Sequence, residues 1–215
     1  MSLSRLTIII PTFYPGRIIK KCLASLPTVS EIIIIDNGED LELEKTIKLQ
    51  KLKIKHFKVG DIGLSKSFNI ALAKSKNENI LITQPDVYFE KNSIINLIKA
   101  QKKYKKVGII SPLLFEKKKY SQYDYLDLSL SKSGNLENKK KQKKINILPS
   151  GDICVDAVNA TAMLIKKSII KKINGWDENI YTYHEDIDLC LRLRRKNYSI
   201  MKVKNSIVHH IGFGS

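Results

Sequence analysis

Short apolar runs alternate along the chain with longer stretches whose apolar residues recur every three or four positions. Leu6 to Ile10 is a short β-branched run stopped by Pro11, and Glu31 to Ile35 is a second, ending in the turn signal Asp36-Asn37-Gly38. Continuous apolar runs of this length read as strands buried on both faces. Lys53 to Val59, Asn79 to Thr83 and Val107 to Ser111 supply three further strands. Helical spacing occupies the intervals between them, over 17–26, 40–51, 64–76 and 92–104. Strands alternating with amphipathic helices predict βαβ units: an α/β fold with a mostly parallel central sheet flanked by helices.

The pattern changes after Phe115. Up to Ile153 the chain is basic and poorly periodic, with KKKQKK at 139–144 and Tyr120, Tyr123 and Tyr125 ahead of it. A long excursion is expected there. Order resumes with a strand region at 156–165, a short helix at 168–173 and a helix at 186–196. Two strand-like pieces, Ile200 to Val203 and Ile207 to His210, close the pattern.

Composition narrows the class. The 215 residues suit one domain, and 43% hydrophobic content is enough for a real core. The 38 basic residues against 21 acidic ones leave a net charge of +17. Such a balance reads first as lysines spread over solvated faces and second as a footprint for a polyanionic partner. Cys22, Cys154 and Cys190 are widely spaced and form no zinc pattern. Cys22 and Cys190 fall on apolar helical positions and read as buried thiols, in keeping with a cytoplasmic protein. No apolar run approaches the length of a membrane span. The natural chain is expected to continue beyond Ser215.

In open α/β sheets ligands bind beyond the carboxyl ends of the strands. Thr12, Asp36, Asp61 and Asp86 each follow a predicted strand. A lone Asp there is often only a turn or cap residue. Asp86 is equally able to hold Mg2+ or Mn2+ against phosphates, since such ions need one or two protein carboxylates. His209 and His210 are adjacent on a strand and so point to opposite faces; one of them is placed to join that metal. The stretch YHEDIDLCLRLRRK at 183–196 concentrates Glu185, Asp186 and Asp188 at a helix start. The helix dipole favours them there, and Asp188 pairs naturally with Arg192. A general base is the other reading of Glu185 or Asp186. The segment at 61–69 is neither a Walker loop nor a GxGxxG turn, which excludes the usual NAD-dependent dehydrogenase signature.

Several segments together resemble family 2 glycosyltransferases of the GT-A fold, especially the rhamnosyltransferase-like branch. NGWDENIYTYHEDIDLCLRLRRKNY at 174–198 is similar to that family's ED-containing block. IIIIDNG at 32–38, DIGLSKSFNIAL at 61–72, QPD at 84–86 and VHHIGFGS at the end are similar to its other motifs, in the same order. Asp61, Ala71 and Gln84 depart from the usual residues. The resemblance implies an inverting transfer of a sugar from a dTDP- or UDP-sugar, rhamnose among them, to a glycan or lipid-linked hydroxyl. It implies a nucleotide-sugar half at 5–112, the basic excursion at 113–154 and an acceptor and catalytic half at 155–215 forming a smaller extension. The implied donor contacts are Pro11, Thr12, Asp36, Asn37, Asp61, Gly63, Asn69, Gln84 and Asp86. Asp186 is the implied base with Glu185 second, Asp86 with His209 or His210 the metal site, and Trp176 and Asp177 the acceptor side. Peripheral contact of the basic loop with an anionic membrane follows as an expectation, at the cytoplasmic face. A sugar-nucleotide binder without activity, or a nucleic-acid module built on 117–144, are the alternatives; no specific nucleic acid is expected under the main reading.

Overall fold

The computed structural model describes residues 3–116 and 148–212, and between them the backbone of three short strands. A 3-10 turn at Leu3–Arg5 leads into β1 (Leu6–Thr12), α1 (Ile19–Ser25), β2 (Glu31–Asp36), α2 (Leu41–Lys48), β3 (Ile54–Lys58), α3 (Leu64–Lys74) and β4 (Asn79–Thr83). Then come β5 (Val87–Phe89), α4 (Ser93–Lys103), β6 (Val107–Glu116), β7 (Lys119–Tyr120), β8 (Leu128–Leu130) and β9 (Leu136–Asn138). The last elements are β10 (Ile153–Val155), β11 (Ala162–Lys166), α5 (Lys167–Lys172), α6 (Glu185–Arg195) and β12 (Ser199–His210).

The main sheet runs β10-β12-β6-β11-β4-β1-β2-β3, with β5 added to β12 and β7 to β6. It is parallel through β3-β2-β1-β4 and again at β6-β12. β11 is antiparallel to both β4 and β6 and joins the two parallel parts. The period-two alternation of β1 and β2 explains the layers. Ile8, Ile10, Ile32 and Ile34 pack with Cys22 and Leu23 of α1 and Leu97 of α4, while Ile9, Ile33 and Ile35 pack with Phe68 of α3 and Leu189 and Leu193 of α6. Each fully buried Ile or Leu contributes about 1.5–3 kcal/mol. Burial also pushes the thiols of Cys22 and Cys190 up to about 12, so both are inert packing groups.

Three sequence-based boundaries are corrected. β6 does not stop at Ser111 but continues through Pro112 to Glu116. Its partner β12 is irregular between Val203 and Ile207, next to the Val203–Pro112 pair. A bulge there tolerates the missing proline N–H. The two closing pieces are therefore one strand, Ser199–His210. Of the strand region at 156–165, only Ala162 onward pairs; 156–161 is a loop with buried Ala157, Val158 and Ala160. The boundary placed at 112/113 falls within β6. The lysine- and tyrosine-bearing stretch 117–144 lies outside the described residues, apart from the strand backbones. Among the described residues no helix is long and apolar enough to cross a membrane.

Candidate active site

β1 lies between β2 and β4, so strand order reverses beside it. A cavity of about 410 Å³ opens beyond the carboxyl ends of β1 and β4, where an open α/β sheet is expected to bind its ligand. β1 and the turn after it bring Pro11, Thr12, Phe13 and Tyr14 to the wall. The turn after β4 brings Gln84, Pro85 and Asp86, and the entry to α3 brings Asp61, Gly63 and Leu64. Asn37 and a strap at Tyr181–Tyr183 complete it. Seven of the nine expected donor residues thus line one cavity: Pro11, Thr12, Asn37, Asp61, Gly63, Gln84 and Asp86.

Asp36 and Asn69 are brought elsewhere. Asp36 is fully buried and turned into the β2–α2 turn. Its carboxylate accepts the N–H of Gly38 (3.2 Å) and of Asp40 (3.0 Å) and faces His56 Nε2 at 3.1 Å. Asn69 accepts the Trp176 N–H (2.9 Å) and donates to the Trp176 carbonyl (2.9 Å) and Glu178 Oε1 (2.9 Å). It is a latch between α3 and the 174–178 turn. Gly175 has φ +72°, and a Cβ there would stand 2.5 Å from Asn69 Oδ1; glycine alone permits that approach. Trp176, expected at the acceptor, is instead 2% exposed and packs on Phe68 with ring centroids 5.1 Å apart. Asp177 stays exposed and accepts the Asn179 N–H at 3.0 Å.

Sequence reasoning missed the aromatic rim. Phe13, Tyr14, Tyr181 and Tyr183 are all more than half exposed, and all line the cavity. Their π-faces suit a base or a sugar ring. The available signals were an aromatic pair bracketed by Pro11 and Pro15 and two tyrosines outside any helical period. The strap is fastened to α3: the Tyr181 carbonyl accepts the Leu64 N–H at 2.7 Å, and its hydroxyl donates to Asp61. Hydrogen bonding to Asp61 raises the Tyr181 pKa.

The two histidines separate, as adjacent strand residues must. His210 Nε2 meets Asp86 Oδ2 at 3.0 Å. His209 turns the other way, to Glu90 Oε1 (2.7 Å) and a stacked Tyr88 ring (4.7 Å); of the two, it is not the partner of Asp86. The hydrogen bond to Asp86 holds His210 above its usual pKa against the opposing effect of burial. Adjacent ligands about 2.1 Å from one ion stand roughly 3 Å apart, which is the Asp86–His210 spacing. Among the described residues no three His, Cys, Asp or Glu side chains converge as a metal cage. The carboxylate and imidazole fit a half-site for a divalent ion that phosphate oxygens would complete.

α6 opens on the carboxylates. Tyr183 and His184 precede it with φ of 63° and 70°, a left-handed pair that costs about 1–3 kcal/mol per residue and tends to mark working sites. Glu185 is 3% exposed, and burial followed by the charge of Asp186 pushes its pKa up to about 7. Asp186 is half-buried; it accepts the N–H of Ala160 (2.9 Å) and of Ile187 (2.7 Å). Burial raises its pKa, partly offset by those bonds. Neither carboxylate lines the cavity, but both follow directly on the strap that does. Asp188 pairs with Arg192 as expected (2.7 Å), and Arg192 donates to the carbonyls of Ile173 (2.6 Å) and Gly175 (2.8 Å).

The family model for glycosyl transferase family 2 matches residues 7–173. The rhamnosyltransferase WbbL of Escherichia coli is 31% identical over 195 residues, covering 81% of this chain and 71% of the relative. The low-salt glycan biosynthesis hexosyltransferase Agl10 of Haloferax volcanii is 25% identical over 206 residues, covering 92% of this chain and 64% of the relative. Among solved structures, GalNAc-T7 with UDP, GalNAc and Mn2+ superposes with a TM-score of 0.78 at 16% identity, over 97% of this chain and 44% of that one. The mannosyltransferase PcManGT of Pyrobaculum calidifontis, in complex with GDP-Man and Mn2+, gives 0.70 at 13%, over 96% and 56%. The chain therefore spans about half the length of those solved chains and 64% of Agl10. The fold is of the GT-A type, and the chain belongs to glycosyl transferase family 2.

Proposed function

We propose that the chain is an inverting glycosyltransferase that moves a sugar from a nucleotide diphosphate to an acceptor hydroxyl. One observation carries the reading. Asp86 lies in the wall of the switch-point cavity and meets His210, while another wall, the Tyr181–Tyr183 strap, runs straight into Glu185 and Asp186. The candidate base thus follows in sequence on one wall of the candidate donor site.

The rim aromatics stack the base or sugar of the donor. Asp186 is the base, because it keeps solvent access while Glu185 is buried. Two of its roughly four lone-pair directions are taken by backbone N–H groups. The others accept the proton of the acceptor hydroxyl. That oxygen forms a bond to the anomeric carbon from the face opposite the diphosphate, which leaves with the electron pair of the broken C–O bond. No covalent enzyme intermediate is needed. Asp86 and His210 would hold Mg2+ or Mn2+, which supplies positive charge against the departing diphosphate. The rhamnosyltransferase relative supports a dTDP- or UDP-linked deoxyhexose as donor. A lipid-linked acceptor at the cytoplasmic face, with the basic surface against anionic headgroups, accords with the net charge of +17.

A thermal-shift panel of UDP, dTDP and GDP and their sugars, with Mn2+ and then with chelator, tests the donor reading. Stabilisation by one nucleotide, dependent on metal and lost in Asp86→Ala, is the expected result. No response to any nucleotide overturns it.

A further inference from the structure

We infer that Glu116 is a positioning residue for the metal half-site, acting through His210. The inference rests on the reading that Asp86 and His210 hold the ion. β6 and β12 are parallel, and their register sets Glu116 directly beside His210. On the other side of β12, His210 is paired with Val87, the residue after Asp86. Asp86 is itself fixed to the end of β12, because its carbonyl accepts the Ile211 N–H at 3.0 Å. Three strands therefore bring Asp86, His210 and Glu116 into one row.

Within the row the imidazole is held at both nitrogens. Nε2 faces Asp86 Oδ2 at 3.0 Å and Nδ1 faces Glu116 Oε1 at 3.4 Å. With an ion in place of the proton between Nε2 and Asp86, an acceptor at Nδ1 would keep the remaining ring proton there and free the Nε2 lone pair for the ion. It also fixes the ring plane, which a histidine at a strand end does not fix alone. Glu116 is only partly exposed at its side chain (36%), and His210 less so (22%), so the pair is shielded enough for orientation to matter. Partners of this kind commonly change metal affinity 10- to 100-fold.

The test is Mn2+ binding to the full chain, read from the free-ion EPR signal with and without UDP. Glu116→Ala is expected to weaken Mn2+ binding about tenfold or more. Glu116→Gln keeps a neutral acceptor for Nδ1 and recovers part of that loss. On a His210→Ala background, Glu116→Ala is expected to cause no further loss. Equal affinity of wild type and Glu116→Ala overturns the inference and leaves the metal reading standing. So does an undiminished loss on the His210→Ala background, or a Gln variant as weak as Ala, since either marks a charge effect that does not pass through His210. Should the Ala variant fold poorly, the Gln variant carries the same comparison on both backgrounds. Absence of Mn2+ binding by wild type, with or without UDP, removes the metal reading and this inference together.

Discussion

Gly63 fastens the strap that walls the cavity, and its replacement by alanine tests that fastening. Gly63 has φ +82° and ψ 167°, a region essentially reserved for glycine that costs other residues about 1–3 kcal/mol. A Cβ would also lie 2.5 Å from the Tyr181 carbonyl oxygen and 2.7 Å from Tyr181 Cδ2. The first of these is backbone and cannot swing aside, so the strap must move. The Leu64 N–H to Tyr181 carbonyl bond at 2.7 Å is then lost or stretched, at a further cost of about 1 kcal/mol. The expected loss is about 2–4 kcal/mol, a fall in Tm of roughly 4–16 °C for a domain of this size. Gly16→Ala is the control: its φ is +55°, yet nothing lies within 4 Å of the added Cβ, so it reports backbone strain alone. Calorimetry on both variants, with nucleotide titrations, separates the two contributions. If Gly63→Ala costs no more than Gly16→Ala and binds nucleotide as wild type does, the strap is not held by this contact.

Asn69→Ala removes three hydrogen bonds to the 176–178 segment and is expected to cost about 2 kcal/mol by urea unfolding; Gly175→Ala should then be better tolerated on that background, because the Asn69 side chain is what its Cβ would meet. Asp186→Asn is expected to lower kcat by about 10²–10⁴-fold with nucleotide binding unchanged; activity within a few-fold of wild type in a sugar-transfer assay would place the base elsewhere. Glu185 has a folded pKa raised from about 4.5 to about 7, so its contribution is fully present below pH 4.5 and is lost as pH rises through 7. Glu185→Gln should therefore match wild type near pH 4.5 and exceed it by pH 8, by an amount on the order of 3 kcal/mol at most; a difference that does not grow with pH refutes the assignment.

Much of the fold was legible because its central parallel strands β1, β2 and β4 are almost wholly buried. Leu6 to Ile10 and Ile32 to Ile35 have neighbours on both faces, and such strands read as unbroken apolar runs. Helices flanking them must alternate, so the βαβ order follows from periodicity alone. The antiparallel members were harder to see. β5, β10 and β11 are short, and whether such a segment pairs is decided by its neighbours rather than by its own pattern. β6 shows the same effect: Pro112 looks like a stop, and only the irregularity in β12 beside it lets the strand continue.

The site divides along a similar line. Residues at strand ends could be placed from sequence, since the carboxyl edge of an open sheet is fixed by topology; Thr12, Asp61 and Asp86 do reach the cavity. Asp36 stands at an equivalent edge yet turns inward, because two backbone N–H groups of its own turn lie within reach. A short acidic side chain after a strand therefore signals either a ligand contact or a self-closed turn, and the following backbone geometry decides between them. Asn69 and Trp176 show the same ambiguity at longer range: residues 107 apart in sequence satisfy one another, and their partnership is invisible until both elements are docked. The carboxylates of α6 gain their character in this way too. Glu185 and Asp186 are adjacent and share a helix start, but packing separates them into a buried side chain whose pKa is raised to about 7 and a partly buried one that anchors the 156–161 loop. How each of two neighbouring carboxylates is held is thus set by α6 packing against that loop, which is why sequence could name the pair but not their surroundings.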